Sequence, residues 1–265
     1  MNFNSISARI VQLRRLPPSL WYSFAGGWLS RNKNQWVPCL LPECLQLLRV
    51  PLREFYESYA FFCENPLGLN ELGYFQRQLK PGDVFYDIGG FRGAYSAAAK
   101  MKLGASSSVH IFEPLPKNIE AIRRVASLNR FSEFTVNSLA VGDGVPVAGG
   151  VNEQDGMLRI GDVAAADLTN FPSISLDEYI ANGNPPPSIV KIDVDGFELH
   201  VLRGAQGCLA RHPRLWLEVH PTYLKAQGKS ADAVLQFLRD NEYRISFFCD
   251  FNSPSAETSY HIWCE

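Results

Sequence analysis

A chain of 265 residues, 46% apolar and 20% charged, is long enough for one large α/β domain with an extension and too apolar to be disordered. Its formal net charge of −2 excludes the overall basic footprint of a nucleic-acid-binding protein. No apolar run reaches the roughly 18 residues that a membrane-spanning helix needs.

The charge is unevenly spread. Residues 1–50 hold six basic side chains (Arg9, Arg14, Arg15, Arg31, Lys33 and Arg49) against Glu43, a net of +5, which leaves −7 on the other 215. The six cysteines, at 39, 44, 63, 208, 249 and 264, form no C-x-x-C and no Cys/His metal spacing. They read as free thiols of a reducing compartment, and a cytoplasmic location is expected. The opening MNFNSISARIVQLRRLPPSLW is basic, but Pro17-Pro18 interrupts any signal-type apolar region, so no leader is expected.

Residues 1–78 read as a mainly helical extension or cap, rich in aromatics such as Trp21, Tyr22, Phe24, Trp28 and Trp36. Ile6, Ile10 and Leu13 share one helical face. Leu45–Leu52 and Phe55–Phe62 read as further helical or mixed segments. A cap over the active site, a subunit contact and a basic membrane-surface helix all stand open beside a plain helical layer packed on the main domain.

The turn Leu79-Lys80-Pro81-Gly82-Asp83 opens an α/β domain over 79–265. Val84-Phe85-Tyr86 leads into Asp87, then a glycine-rich turn, then a helical run over Ala94–Leu103. That is the first strand–turn–helix of a parallel sheet. Gly89, Gly90 and Gly93 lack a Cβ, so the backbone can bend tightly and approach a ligand. The dinucleotide pattern G-x-G-x-x-G fails, because its first Gly would fall on Ile88. A carboxylate at the strand tip suits a cationic ligand. S-adenosylmethionine, with its ammonium and sulfonium groups, fits a strand followed by D-x-G-x-x-x-G. The next strand, Val109–Phe112, ends at Glu113, 20 residues after Gly93, where an acid can accept both hydroxyls of a ribose.

Lys117–Leu128 reads as a helix and Phe134–Val136 as a third strand. Residues 144–175 read as a β-hairpin or an irregular insertion. Ser175 and Glu178 have the spacing of a capping box at a helix start. Ser188–Asp193 and Leu215–His220 read as strands. Ser230–Asp240 is an amphipathic helix with Ala233, Val234, Phe237 and Leu238 on one side. Arg244–Phe248 and Tyr260–Trp263 read as a last, antiparallel pair.

Ligands of open α/β sheets bind at the carboxyl ends of the strands. Asp193 ends one strand there, and Glu218 and His220, two residues apart, share a face at the end of another. His220, with an ordinary pKa near neutrality, is the first candidate for a base, and Asp193 is placed to position cofactor or substrate or to orient His220. The three could together hold a divalent ion, but two carboxylates and one histidine are a common chance grouping, and the expectation is a site without metal. Lys191 pairing with an acid, and Asp195 with Glu198 capping a helix start, are the structural readings of their neighbours.

VFYDIGGFRGAYS, IFEP, LAVGD, ISLDEYI, VKIDVDGFELHVLRGA and LEVHP, in this order, resemble the FkbM-type methyltransferase family over about residues 79–248. The resemblance implies a class I, S-adenosylmethionine-dependent fold: a mostly parallel sheet of about seven strands with helices on both faces. It also implies O-methylation of a hydroxyl on a sugar, glycan or small natural product. Asp87, Gly89 and Gly93 would hold the methionine part of the cofactor, and Glu113 the ribose. Ser138 and Leu139 would lie near the adenine. Where the family often carries Ala-Asn after the first Gly, this chain has Gly90-Phe91, and Asp195 stands where the family reads KIDVEG. The expected partner is a small-molecule or glycan acceptor and not nucleic acid, with homo-oligomerisation left open. A nucleotide-dependent oxidoreductase on a similar sheet and a non-catalytic binding module are the competing readings.

Overall fold

The computed structural model describes residues 36–40, 47–51, 54, 71–152, 157–159, 169–248 and 259–265. An antiparallel pair comes first, β1 (Trp36–Leu40) and β2 (Leu47–Pro51), followed by α1 (Glu71–Gln78). The α/β part then runs β3 (Val84–Ile88), α2 (Ala94–Leu103), β4 (Ser108–Phe112), α3 (Pro116–Asn129) and β5 (Phe134–Asn137). Five short strands follow: β6 (Ala140–Val141), β7 (Val147–Asn152), β8 (Met157–Arg159), β9 (Thr169–Phe171) and β10 (Ser173–Ile174). After them come α4 (Leu176–Ala181), β11 (Ile189–Ile192), α5 (Glu198–Arg203) and α6 (Gln206–Leu209). The chain closes with β12 (Arg214–Val219), α7 (Pro221–Ala226), α8 (Ala231–Asp240), β13 (Ile245–Phe248) and β14 (Tyr260–Cys264).

Seven strands form the central sheet in the order β13-β14-β12-β11-β3-β4-β5, with β14 antiparallel to both of its neighbours and the other pairs parallel. This is the class I arrangement. Its strands are near-continuous apolar runs because helices cover both faces. Side chains alternate across it. Phe85, Ile111, Ile189 and Trp216 enter one core with α1 and α2, and Tyr86, Phe112, Val190 and Leu217 enter the other with α5 and α8. The chain leaves β3 toward β4 on one side, and β11 lies on the other. The crevice between those diverging connections, at the carboxyl ends of β3 and β11, is where such a sheet offers a ligand site.

Several local readings hold. Ser175 Oγ accepts a hydrogen bond from Glu178 N at 3.0 Å and caps α4. Ser230 does the same for α8 through Ala233 N. The insertion is a three-stranded sheet in the order β8-β7-β9. On α8, however, Ala233 is exposed, and Leu235 is buried with Val234 and Leu238.

Within Leu45–Leu52, read as helical or mixed, Leu47–Pro51 is a strand. Leu48 and Val50 are buried while Leu47 and Arg49 face out. With α1, the strand pair shares the core of the main domain: Cys39, Leu48, Val50, Leu72 and Phe75 pack in one cluster with Phe85 and Ile122. Asn129 in α3 clasps the backbone of Arg49 from both sides. The reading of a helical face at Ile6, Ile10 and Leu13, and that of Phe55–Phe62, lie outside the described residues. No helix among the described residues is long and apolar enough to cross a membrane. Cys39, Cys208 and Cys264 are buried free thiols.

Candidate active site

The glycine turn after β3 is built by close approach. Gly89 has φ +76°, and a Cβ there would lie 1.8 Å from the backbone oxygen of Asp193. Gly90 is barred from a side chain by Ile111, whose Cγ2 would be 2.3 Å away. Both amides donate to the Phe112 carbonyl, Gly89 at 3.0 Å and Gly90 at 3.1 Å, so the loop is tied to the end of β4. Any residue larger than glycine at 89 would push the loop off β11 and the site's acid with it.

Asp87 lies behind this loop and not in front of it. It is fully buried and accepts a hydrogen bond from Ser96 Oγ. Lys191, its register partner across β3 and β11, reaches Asp87 Oδ1 at 3.4 Å and Asp193 Oδ2 at 3.1 Å, and donates to the Gly89 carbonyl at 2.8 Å. Burial would lower the Lys191 pKa, but Asp193 and Asp87 raise it instead, so the ammonium stays charged. Asp87, expected at a cationic ligand, is buried here and paired with Lys191 and Ser96.

A cavity of about 230 Å³ opens where the turn meets the ends of β4, β11 and β12. Of the residues singled out from sequence, Gly89, Glu113, Asp193, Glu218 and His220 line it. Asp87, Gly90 and Gly93 stand behind it. Ser138 and Leu139 are not on its wall. Ser138 is exposed beside the outer face of α3, and Ala140 and Val141 of β6 supply the apolar wall in their place. The wall is supplied two residues further on, where β6 begins.

On the cavity wall Glu113 is held by three donors. Its Oε2 accepts from Phe91 N at 2.9 Å, and its Oε1 from Leu115 N at 2.9 Å and Asn118 Nδ2 at 3.2 Å. Burial raises its pKa to about 7 in spite of those bonds. Glu113 therefore pins the glycine turn through Phe91, a non-glycine residue at φ +45°. A carboxylate has about four acceptor sites, so three protein donors leave room for one more.

Asp193, Glu218 and His220 converge on the same cavity, as the strand spacing implies. His220 Nε2 lies 3.7 Å from Asp193 Oδ1, 3.5 Å from Glu218 Oε1 and 3.5 Å from Asp195 Oδ1. Its Nδ1 meets Glu198 Oε1 at 2.7 Å. Sequence reasoning placed Glu198 in a capping box with Asp195. The structure gives Glu198 a backbone bond to Gly196 N and this contact with His220, while Asp195 adopts φ +44° and the helix starts without a side-chain cap. No local pattern points to a partner 22 residues away.

Three carboxylates change the histidine. Burial alone would lower the His220 pKa, but the bond to Glu198 and the charges of Asp193 and Glu218 raise it to about 9. The ordinary near-neutral value expected of it does not apply. Burial would raise the Asp193 pKa, but Lys191 and His220 hold it below the usual carboxylate range. Burial and the neighbouring Asp193 raise that of Glu218.

Residues 83–245 match the methyltransferase FkbM domain model. Over 182 residues, 62% of this chain and 70% of the relative, the chain is 26% identical to the hexuronic acid methyltransferase AglP of Haloferax volcanii. A crystal structure of the methyltransferase FkbM from Methylobacillus flagellatus aligns with 91% of this chain and 58% of its own length, at 17% identity and a TM-score of 0.46. The precorrin-6y C5,15-methyltransferase of Geobacter metallireducens aligns with 75% of this chain and 87% of its own, at 14% identity and the same TM-score. With the model matching well over half of its length, the chain belongs to the FkbM family of S-adenosylmethionine-dependent methyltransferases.

Proposed function

We propose that the protein moves the methyl group of S-adenosylmethionine onto a hydroxyl oxygen of a sugar or glycan, and that uronic-acid-containing sugars are the acceptor class to test first. One observation carries the reading. The glycine turn, Glu113 and the Asp193–Glu218–His220 group open onto the same cavity. The relative that acts on a hexuronic acid supplies the acceptor class. An oxidoreductase falls away with the family, and a non-catalytic module is the outcome in which no methyl moves.

Methyl transfer from a sulfonium is an in-line displacement, and the protein's share is to hold oxygen, methyl and sulfur in line. In this reading Gly89 and its neighbours take the methionine part, Glu113 the ribose, and Ala140 with Val141 the adenine. The acceptor oxygen sits at the acidic group, where its proton must leave. The test is incubation with donor labelled in the methyl group and a panel of sugars with and without a carboxylate. Label on a uronic sugar is expected, and a panel that stays unlabelled while the donor binds supports the non-catalytic module instead.

The ribose assignment makes a prediction of its own. Glu113→Ala removes a charged acceptor, worth about 1.5–3 kcal/mol per hydrogen bond lost, and should weaken donor binding accordingly. Ribose hydroxyls donate to the ionised form, so binding also senses pH. Affinity should be greatest above about 7, where the empty site's carboxylate is ionised, and should fall as pH drops through that value. Calorimetric titration across this range checks both statements. A pH-independent affinity, or an unchanged affinity in a folded Glu113→Ala, removes Glu113 from the ribose.

A further inference from the structure

Each member of the Asp193–Glu218–His220 group has one polar atom engaged behind the cavity. Asp193 Oδ2 lies 3.1 Å from Lys191 Nζ, Glu218 Oε2 lies 3.3 Å from His261 Nε2, and His220 Nδ1 lies 2.7 Å from Glu198 Oε1. The second atom of each turns toward the other two. Asp193 Oδ1 and Glu218 Oε1 stand 3.7 and 3.5 Å from His220 Nε2, and three such atoms lie within 4.8 Å of one another.

Those separations are too long for good hydrogen bonds. They lie at or just above the roughly 3.0–3.5 Å that separates ligands bound to one ion at about 2.1 Å, so a small inward movement of the side chains brings them onto a cation. His220 is 8% exposed, and its Nε2 faces Asp193, Asp195 and Glu218 at 3.5–3.7 Å. Glu198, fully buried, fixes the ring from behind. A carboxylate behind a histidine is the arrangement that sets the tautomer and direction of a metal-binding imidazole. A cation bound here displaces the proton that the surrounding carboxylates otherwise hold on the ring.

We infer that His220 Nε2, Asp193 Oδ1 and Glu218 Oε1 bind one divalent cation of the Mn²⁺ kind, with the acceptor oxygen as a further ligand. One imidazole with carboxylates suits such an ion, and oxygen ligands fill its other positions. The inference deepens the methyl-transfer reading and rests on it for the ion's use, though not for its binding. Coordination lowers the pKa of the acceptor hydroxyl. The O–H proton passes to the Asp195 carboxylate. The oxygen lone pair then forms the O–C bond to the methyl as the C–S bond breaks, and that electron pair returns to sulfur, leaving a neutral thioether. No redox partner is needed. An acidic sugar would meet the ion and not bare carboxylates.

The test is direct titration of the full-length chain, stripped with chelator, with Mn²⁺ followed by electron paramagnetic resonance. One saturable equivalent is expected. His220→Ala and Glu218→Gln should abolish it, and Glu198→Gln, which cannot touch the ion, should weaken it about 10–100-fold. Unchanged S-adenosylmethionine affinity in each variant shows that it is folded. Absence of saturable binding at millimolar Mn²⁺, or binding indifferent to both ligand substitutions, overturns the inference. Full methyl transfer by the chelated chain overturns the ion's part in the reaction. Mn²⁺ bound by His220 and Glu218 in a protein that methylates no sugar upholds the site and sinks the methyl-transfer reading.

Discussion

Lys191→Met should cost the fold about 3–5 kcal/mol, a large part of the roughly 5–15 kcal/mol that holds a domain together. The methionine fills much the same space, so packing loss is small and the change reports on charge. Lys191 is 4% exposed on its side chain and stands between Asp87, which is 0% exposed, and Asp193. Without it Asp87 keeps, among the described residues, only the Ser96 hydroxyl, and a carboxylate buried without a cation is strongly unfavourable. The Gly89 carbonyl also loses its donor, so the cofactor turn loosens. Urea unfolding measures the loss. Adding Asp87→Asn should return much of it, because the orphaned charge is gone. A loss below about 1 kcal/mol, or no recovery in the double variant, would show that the pair does not organise the loop.

His220→Ala should lower turnover on the order of 10²–10⁴-fold, because it removes the imidazole that holds the ion on which proton removal from the acceptor depends. Donor affinity should change little, since Nε2 faces Asp193, Asp195 and Glu218. The alanine also strips Glu198 of its imidazole partner, so stability must be followed in parallel. His220→Asn keeps a donor able to face Glu198 and separates the two effects. A fall in turnover with unchanged donor affinity and near-normal stability is expected of the asparagine variant. Full activity in either variant would take His220 out of the chemistry.

What could be read from sequence follows from where the information sits. β3, β4, β11 and β12 were legible because strands buried on both faces are short, dense apolar runs bounded by turn residues. The convergence of Glu218 and His220 was legible because they lie two apart on one strand, and that of Asp193 because it ends the neighbouring one. The strand Leu47–Pro51 was not, because its outward position 47 is a leucine, 63% exposed, which hides the alternation. Asp87 was read as facing a ligand because the lysine that claims it comes from 104 positions along the chain, and only the register of β3 against β11 brings the two side by side. Glu198 was missed as the partner of His220 for a similar reason: its spacing from Asp195 suggested a local role. Ser138 and Leu139 missed the cavity wall by two residues, since Ala140 and Val141 of β6 line it, a shift that no periodicity encodes.

The most direct measurement is to supply S-adenosylmethionine carrying a ¹³C methyl, with a uronic-acid-containing acceptor, and to trace the labelled carbon in the purified product by long-range carbon–proton correlation. A methyl correlated with a ring proton of the sugar, and stable to mild alkali, is the expected result, since it sets the transferred group on a hydroxyl oxygen. A methyl that alkali releases, and that shows no ring-proton correlation, would be an ester of the carboxylate and would contradict the account.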